Sequence, residues 1–213
     1  MVTKAGTFIV FEGLDGSGKT TQAKLLAGTL RRLGIDVIET EEPTRGSIGI
    51  LIREILSGRA ECDDRALAAL FAADRVDHLH SASRGIYKPA MAGRTIVSDR
   101  YYFSSYAYNS AHLPIEYVIG INSICAELMR PDVNVFLDLS PEKCLNRLKE
   151  NRKRLDTYEN VGYLRKVRFR YFEAFKLTEE KERVAIVDAD SPALEVSDRV
   201  AKIVLQYCNF TSV

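Results

Sequence analysis

Thr7-Phe8-Ile9-Val10-Phe11 leads through Glu12 into Gly13-Leu14-Asp15-Gly16-Ser17-Gly18-Lys19-Thr20, which fits G-x-x-x-x-G-K-[ST] at every fixed position. The first run is short, β-branched and aromatic, the pattern of a buried parallel strand. After it, Ala23, Leu26, Ala27, Leu30 and Leu33 recur at helical spacing from Thr20 to Leu33. A strand, a glycine-rich turn and a helix form the context in which this motif holds phosphate. Backbone N–H groups of such a turn and the positive end of the helix dipole supply donors already in place for a polyphosphate. In that arrangement Lys19 reaches the β- and γ-phosphates and the Thr20 hydroxyl ligates Mg²⁺, with Gly13, Leu14, Asp15, Gly16, Ser17, Gly18 and Thr21 completing the nucleotide-binding turn.

Outward from this loop, strand and helix patterns alternate. Gly34 ends the first helix, and Asp36–Thr40 reads as a second strand. Glu42-Pro43-Thr44-Arg45-Gly46 is a loop punctuated by proline and glycine. A short amphipathic helix follows over Ile48–Leu56, and Asp63-Asp64 caps a long one expected from Arg65 to Tyr87. Thr95–Asp99 is a third strand that ends in a carboxylate, and a polar, tyrosine-rich stretch separates it from a helix over Ile115–Met129. Val133–Leu139 is the fourth strand. Ser140-Pro141-Glu142 starts a helix to Lys149, with proline inside the first turn. The basic run Asn151-Arg152-Lys153-Arg154 precedes a long helix over Glu159–Leu177, then a fifth strand over Val184–Asp188 and a last helix from Pro192 to Tyr207. Repeats, low-complexity tracts and linkers are absent. The expected fold class is α/β: one P-loop domain spanning 1–213, with a single five-stranded, mainly parallel sheet and helices on both faces.

Composition narrows the function. Within 213 residues, Lys+Arg 30 against Asp+Glu 29 leaves a net charge of +1, unlike the basic excess of a general nucleic-acid binder. No apolar run is long enough for a membrane span, and the stretch at Phe8–Phe11 is too short for a signal peptide. Cys62, Cys125, Cys144 and Cys208 show no metal or redox spacing and read as free thiols, which points to a cytoplasmic protein. His78 and His80 read as ordinary helix residues. A GTPase would carry Asn-Lys-x-Asp and a distal Asp-x-x-Gly. The sequence has neither, since Asp15 to Gly18 lies within the phosphate loop itself. A motor needs a larger body. The small size favours a kinase whose second substrate binds on the same domain.

Four motifs in order then resemble the thymidylate kinase family over nearly the whole chain. They are Phe11-Glu12-Gly13-Leu14-Asp15-Gly16-Ser17-Gly18-Lys19-Thr20-Thr21; Phe71-Ala72-Ala73-Asp74-Arg75; Asp99-Arg100-Tyr101 with Ser104-Ser105-Tyr106-Ala107-Tyr108; and Asp156-Thr157-Tyr158-Glu159 after an arginine-bearing segment. The resemblance implies phosphorylation of dTMP by ATP with Mg²⁺, without nucleic acid or membrane, in a homodimer packed through helices near Leu67–Leu79 and Ile115–Met129.

Residue by residue, the resemblance implies that Phe71 stacks on thymine and Arg75, four residues on and on the same helical face, donates to O4. Asp15 takes the deoxyribose 3′-hydroxyl, and Ser104 and Ser105 lie along the thymine edge. Tyr108 packs under C2′, and Tyr158 adds a substrate contact from the lid. Asp99 sits where open α/β sheets bind ligands and is expected to hold Mg²⁺ or order the acceptor phosphate's partners. Arg100 grips the acceptor phosphate, where a guanidinium can bind in bidentate fashion. Arg45, in a Pro-x-Arg pattern similar to the eukaryotic members, is expected to clamp the same phosphate, with Arg53 as the alternative. Some members carry a catalytic arginine where this chain has Gly16, others carry it in the lid. This chain resembles the lid type, with a lid at about 147–160, Arg152 as the catalytic cation, Arg154 beside it and Arg147 bracing ATP. Two alternatives remain: a deoxynucleoside kinase acting on an unphosphorylated sugar, and an ATP-binding regulatory protein without turnover.

Overall fold

A computed structural model describes residues 6–151 and 160–208. Five strands, β1 (Phe8–Gly13), β2 (Val37–Glu41), β3 (Thr95–Asp99), β4 (Val133–Asp138) and β5 (Val184–Asp188), form one parallel sheet in the order β2-β3-β1-β4-β5. β1 is buried at all six positions, as its continuous apolar run requires of a central strand covered on both faces. Chain order reverses on either side of β1, because β3 lies on one side of it and β4 on the other. The crevice beyond the strands' C-terminal ends at this reversal is where open α/β sheets place their ligands. Gly13, Asp99 and Asp138 stand there as the last residues of β1, β3 and β4.

Helix α1 (Lys19–Arg32) packs on β1 and β3 and against α9 (Ala193–Tyr207), which also covers β4 and β5. Elsewhere α5 (Tyr102–Tyr108) packs on β1 and gathers α3 (Asp64–His80), α6 (Ile115–Leu128) and α8 (Val161–Thr178) around it. The connecting helices are α2 (Ser47–Leu56), α4 (Tyr87–Met91) and α7 (Pro141–Asn151). Among the described residues no helix is long and apolar enough to cross a membrane.

Two expectations are corrected by this architecture. The long helix predicted to reach Tyr87 stops at His80, and α4 begins separately at Tyr87. Gly85 makes the turn between them: its amide bonds Ser81 O at 2.8 Å, and a Cβ there would lie 2.5 Å from the same carbonyl. The tyrosine-rich stretch predicted as polar is instead a core helix. Tyr101, Tyr102 and Phe103 are fully buried, and the Tyr101 hydroxyl is satisfied by Met129 O at 3.1 Å and that of Tyr102 by Glu182 at 2.7 Å. A tyrosine whose hydroxyl finds a partner buries its ring as phenylalanine does. None of the four cysteines is in a disulfide, and three are buried.

Candidate active site

Where β1 ends, Gly13, Gly16 and Gly18 take positive φ angles of 146°, 85° and 102°. Gly16 is doubly constrained, because a Cβ there would lie 2.4 Å from Cys144 O on α7. Neither the backbone angle nor the space admits a side chain. Gly18 then caps α1, so the loop feeds into a helix N-terminus whose first amides have no partner within the helix. Lys19 folds back over the loop, 6% exposed, donating to Leu14 O at 2.8 Å and standing 4.0 Å from Asp15 Oδ1. Burial, and after it the Arg100 cation, pushes the Lys19 ammonium down to about 8. The Ser17 hydroxyl is buried in the loop with no hydrogen-bond partner among the described residues.

Asp99 closes β3 beside this loop. The Thr20 hydroxyl donates to its Oδ2, while its Oδ1 is buried without a partner among the described residues. One hydroxyl and one carboxylate with an uncommitted oxygen match the sparse protein donor set that magnesium takes alongside phosphate oxygens. Loop, Asp99, Arg100, Arg147 and the segment from Ala189 to Val196 line a cavity of about 500 Å³. Arg147 reaches into its wall, donating to Ala189 O at 3.4 Å.

The residue after Asp99 departs from ordinary backbone geometry. Arg100 has a φ of 77°, a left-handed conformation that costs a non-glycine residue free energy. Its surroundings hold it there. Its amide donates to Phe11 O at 2.9 Å, and Ser98 Oγ donates to its carbonyl at 2.7 Å. Glu12, fully buried, then fastens the start of α5, accepting from the amides of Tyr101 and Ser104 at 2.9 and 3.1 Å and from the hydroxyls of Ser104 and Tyr171 at 2.6 and 2.9 Å. Burial nevertheless raises the Glu12 pKa. The Arg100 side chain is thereby aimed across the loop: it pairs with Asp15, donates to Ser104 Oγ at 2.9 Å and lies 5.2 Å from the centre of the Tyr108 ring. The Tyr108 hydroxyl donates to Asp15 Oδ2 at 3.1 Å and accepts from the Asp15 amide at 3.0 Å.

A second cavity, about 270 Å³, opens on the other side of this pair, lined by Phe71, Arg75, Ser104, Ser105, Tyr108 and Arg53 among others. Asp15 and Arg100 line both cavities. Arg75 is 1% exposed and almost fully committed. Its Nε donates to Glu42 at 2.8 Å, one terminal nitrogen donates to Asn122, and the other to Tyr101 O at 3.1 Å and Ser105 Oγ at 3.2 Å. A guanidinium has five N–H groups, so these four bonds leave one. Burial opposes the Arg75 charge, but the Glu42 carboxylate beside it carries its pKa above the usual value.

The sequence profile of thymidylate kinase matches residues 11–200. The chain belongs to the thymidylate kinase family. It is 39% identical over 194 residues to a probable thymidylate kinase of Methanocaldococcus jannaschii, covering 91% of this chain and 93% of that one. A probable thymidylate kinase of Pyrococcus horikoshii is 38% identical over 206 residues, with 93% and 96% covered.

Of the residues that the thymidylate kinase motifs single out, the structure brings Asp15, Phe71, Arg75, Arg100, Ser104, Ser105 and Tyr108 to one cavity. Thr21 and Arg147 join the loop at the other. Arg45 is in neither. It is 86% exposed, pairs with Glu41 at 2.9 Å and borders a third cavity of about 320 Å³ with Thr20, Asp99 and His78. Its alternative, Arg53, is turned the other way because its guanidinium binds the carbonyls of Pro43, Thr44 and Gly49, and it lines the cavity that holds Phe71 and Arg75. Arg152, Arg154 and Tyr158 lie outside the described residues, and of the expected lid only 147–151 and 160 are described.

Glu42, Asn122, Tyr171 and His78 were not singled out by sequence reasoning as site residues. His78, read there as an ordinary helix residue, is 4% exposed and bonded through both ring nitrogens. Glu42 carried one signal, a carboxylate just past a strand's C-terminal end. Asn122 and Tyr171 carried none, because their partners lie 47 and 159 residues away.

Proposed function

We propose that this chain transfers the γ-phosphoryl group of ATP to the phosphate of dTMP, giving ADP and dTDP. One observation carries the reading: the phosphate-loop cavity and the cavity holding Phe71 and Arg75 meet at Asp15 and Arg100. A donor polyphosphate in the first and a nucleoside monophosphate in the second would face each other across that pair. An oxygen of the acceptor phosphate attacks the γ-phosphorus, and the β–γ bridging oxygen leaves with ADP. Such transfer needs positioning and positive charge more than a base.

The phosphate-loop amides and Lys19 hold the β- and γ-phosphates. When bound, Mg²⁺ at Thr20 and Asp99 neutralises developing charge on the phosphate oxygens. In the acceptor cavity Phe71 offers a stacking face, and the one uncommitted N–H of Arg75 donates to thymine O4. Ser105 Oγ already accepts from Arg75, so its own proton is left to donate. The Ser104 proton goes to Glu12, which makes Ser104 a support for Arg100 more than a base contact. Arg100 holds the acceptor phosphate, with Arg53 as its partner in preference to Arg45. Asp15 takes the 3′-hydroxyl, Tyr108 fills the space under C2′, and Arg152 supplies the closing cation from a lid at about 147–160. The same proposal takes 1–213 as one domain of a cytoplasmic homodimer, whose contact would cover Tyr117, Ile124 and Leu128, exposed on α6.

A coupled assay with dTMP and with thymidine tests this. Turnover of dTMP and none of thymidine is expected, because an unphosphorylated acceptor gives Arg100 and Arg53 nothing to grip. The opposite preference would make the chain a deoxynucleoside kinase, and ATP binding without turnover of either would make it a regulatory protein.

A further inference from the structure

Arg75 is held from behind by a relay that begins on β2. His78 stands three residues further along α3, and its ring bridges two groups: Nε2 lies 2.5 Å from Thr40 Oγ1, and Nδ1 lies 2.9 Å from Glu42 Oε1. The other oxygen of Glu42 receives Arg75 Nε at 2.8 Å and lies 2.7 Å from a terminal guanidinium nitrogen. Glu42, His78 and Arg75 are all buried. One neutral tautomer satisfies the whole chain of bonds: a proton on Nδ1 donates to Glu42, and bare Nε2 accepts from the Thr40 hydroxyl.

We infer that His78 is a positioning residue for base recognition, fixing the Glu42 carboxylate that sets the direction of Arg75's remaining N–H. The inference rests on the proposed function. Its physical content is that a buried carboxylate oxygen without a donor must find one. Remove the His78 N–H, and Glu42 rotates toward another partner. Arg75, tied to Glu42 through two nitrogens, then moves with it. Glu42 also precedes Pro43, whose carbonyl holds Arg53, so the displacement stays on the acceptor side. Neither Thr40 nor His78 lines the phosphate-loop cavity. A histidine that merely filled the core would lower stability, and would change the kinetic constants for both substrates or for neither.

The test compares His78→Leu, His78→Asn and Thr40→Val with the parent chain, measuring kcat and KM for each substrate, the ratio of kcat/KM for dTMP over dCMP, and thermal melting. Asparagine can place its side-chain N–H where Nδ1 stands, so it restores the donor without the ring. For His78→Leu we expect KM for dTMP to rise on the order of tenfold, KM for ATP to stay within about twofold, and the dTMP preference to fall. His78→Asn should recover most of the loss. Thr40→Val keeps the histidine but frees its tautomer, and should shift KM for dTMP in the same direction by a smaller factor. Parental dTMP constants in both His78→Leu and Thr40→Val would overturn the inference, as would equal changes in the two KM values or no recovery with asparagine. A parent chain that does not turn over dTMP would instead overturn the function reading.

Discussion

The two cavities are built on opposite terms. Around the acceptor cavity most polar groups are already paired: Arg75 uses four of its five N–H groups within the protein, with Glu42, Asn122, Tyr101 and Ser105 as its fixed partners, and Asn109 Nδ2 is the exception, buried without a partner among the described residues. Around the phosphate loop, polar groups are left over. Ser17 Oγ and Asp99 Oδ1 are buried without partners among the described residues, and the first amides of α1 have none within the helix. The contrast fits the roles proposed for the two sides. Telling one base from another depends on donors whose direction is fixed beforehand, since a mobile donor would satisfy either base. Holding phosphates depends on charge and on donors not yet spent, because the ligand itself brings the acceptors.

Three experiments sharpen or break this contrast, in decreasing order of expected effect. The first asks whether the donor side is incomplete without the lid. With no side chain possible at Gly16, the transferring group needs a cation from elsewhere, and Arg152 is the proposed source. Arg152→Ala should lose roughly 10³–10⁵ in single-turnover rate with little change in dTMP binding, and Arg154→Ala much less. An unchanged rate for Arg152→Ala would move the role to Arg147 or Arg154. The second asks which arginine belongs to the acceptor side. Arg53→Ala should raise KM for dTMP by about tenfold to a hundredfold, whereas Arg45→Ala should change it by less than about threefold. The reverse result would return the phosphate clamp to Arg45.

The third experiment uses pH to examine the unspent donors of the loop. In the free enzyme Lys19 sits at about 8, so it is charged below that pH and neutral above it. Because phosphate binding needs the charged form, kcat/KM for ATP should be level below pH 8 and fall above it, by about tenfold near pH 9. At saturating ATP the bound phosphates hold the proton on Lys19, so kcat should persist to higher pH. A kcat/KM profile that stays flat to pH 9.5 would show that Lys19 is not desolvated as the loop geometry requires.

The donor side was far more legible in the sequence than the acceptor side, for a local reason. Gly13 to Thr20 is one contiguous run, and its positive-φ glycines, its lysine and its hydroxyl are all consequences of neighbouring residues. Strand periodicity was equally local, and the five strands came out within a residue or two at each end. The acceptor side is assembled from Glu42, Phe71, Arg75, Tyr101, Ser105 and Asn122, which are brought together only by packing. Phe71 and Arg75 were recoverable through the family resemblance, with which their four-residue spacing on one helical face agrees. Asp74 and His78 are likewise four apart, Arg75 is three before His78, and each of the three ties α3 to the segment Thr40–Thr44. Nothing local distinguishes His78 from a solvated helix residue. The burial of Tyr101 and Tyr102 was missed for a related reason: the hydroxyl partners Met129 and Glu182 are remote in sequence, and without them the stretch reads as polar.

The most direct test of the account is the ratio of kcat/KM for dTMP over dCMP in the unmodified enzyme. Arg75 can offer its one remaining N–H to the O4 carbonyl of thymine, but the same position in cytosine is an amino group, which is itself a donor. A buried guanidinium facing that amino group loses its partner, at a cost of roughly 1–3 kcal/mol. The account therefore predicts a preference for dTMP of about tenfold to a hundredfold or more. Equal values for the two nucleotides would contradict the claim that the prearranged side chains of the acceptor cavity read the base.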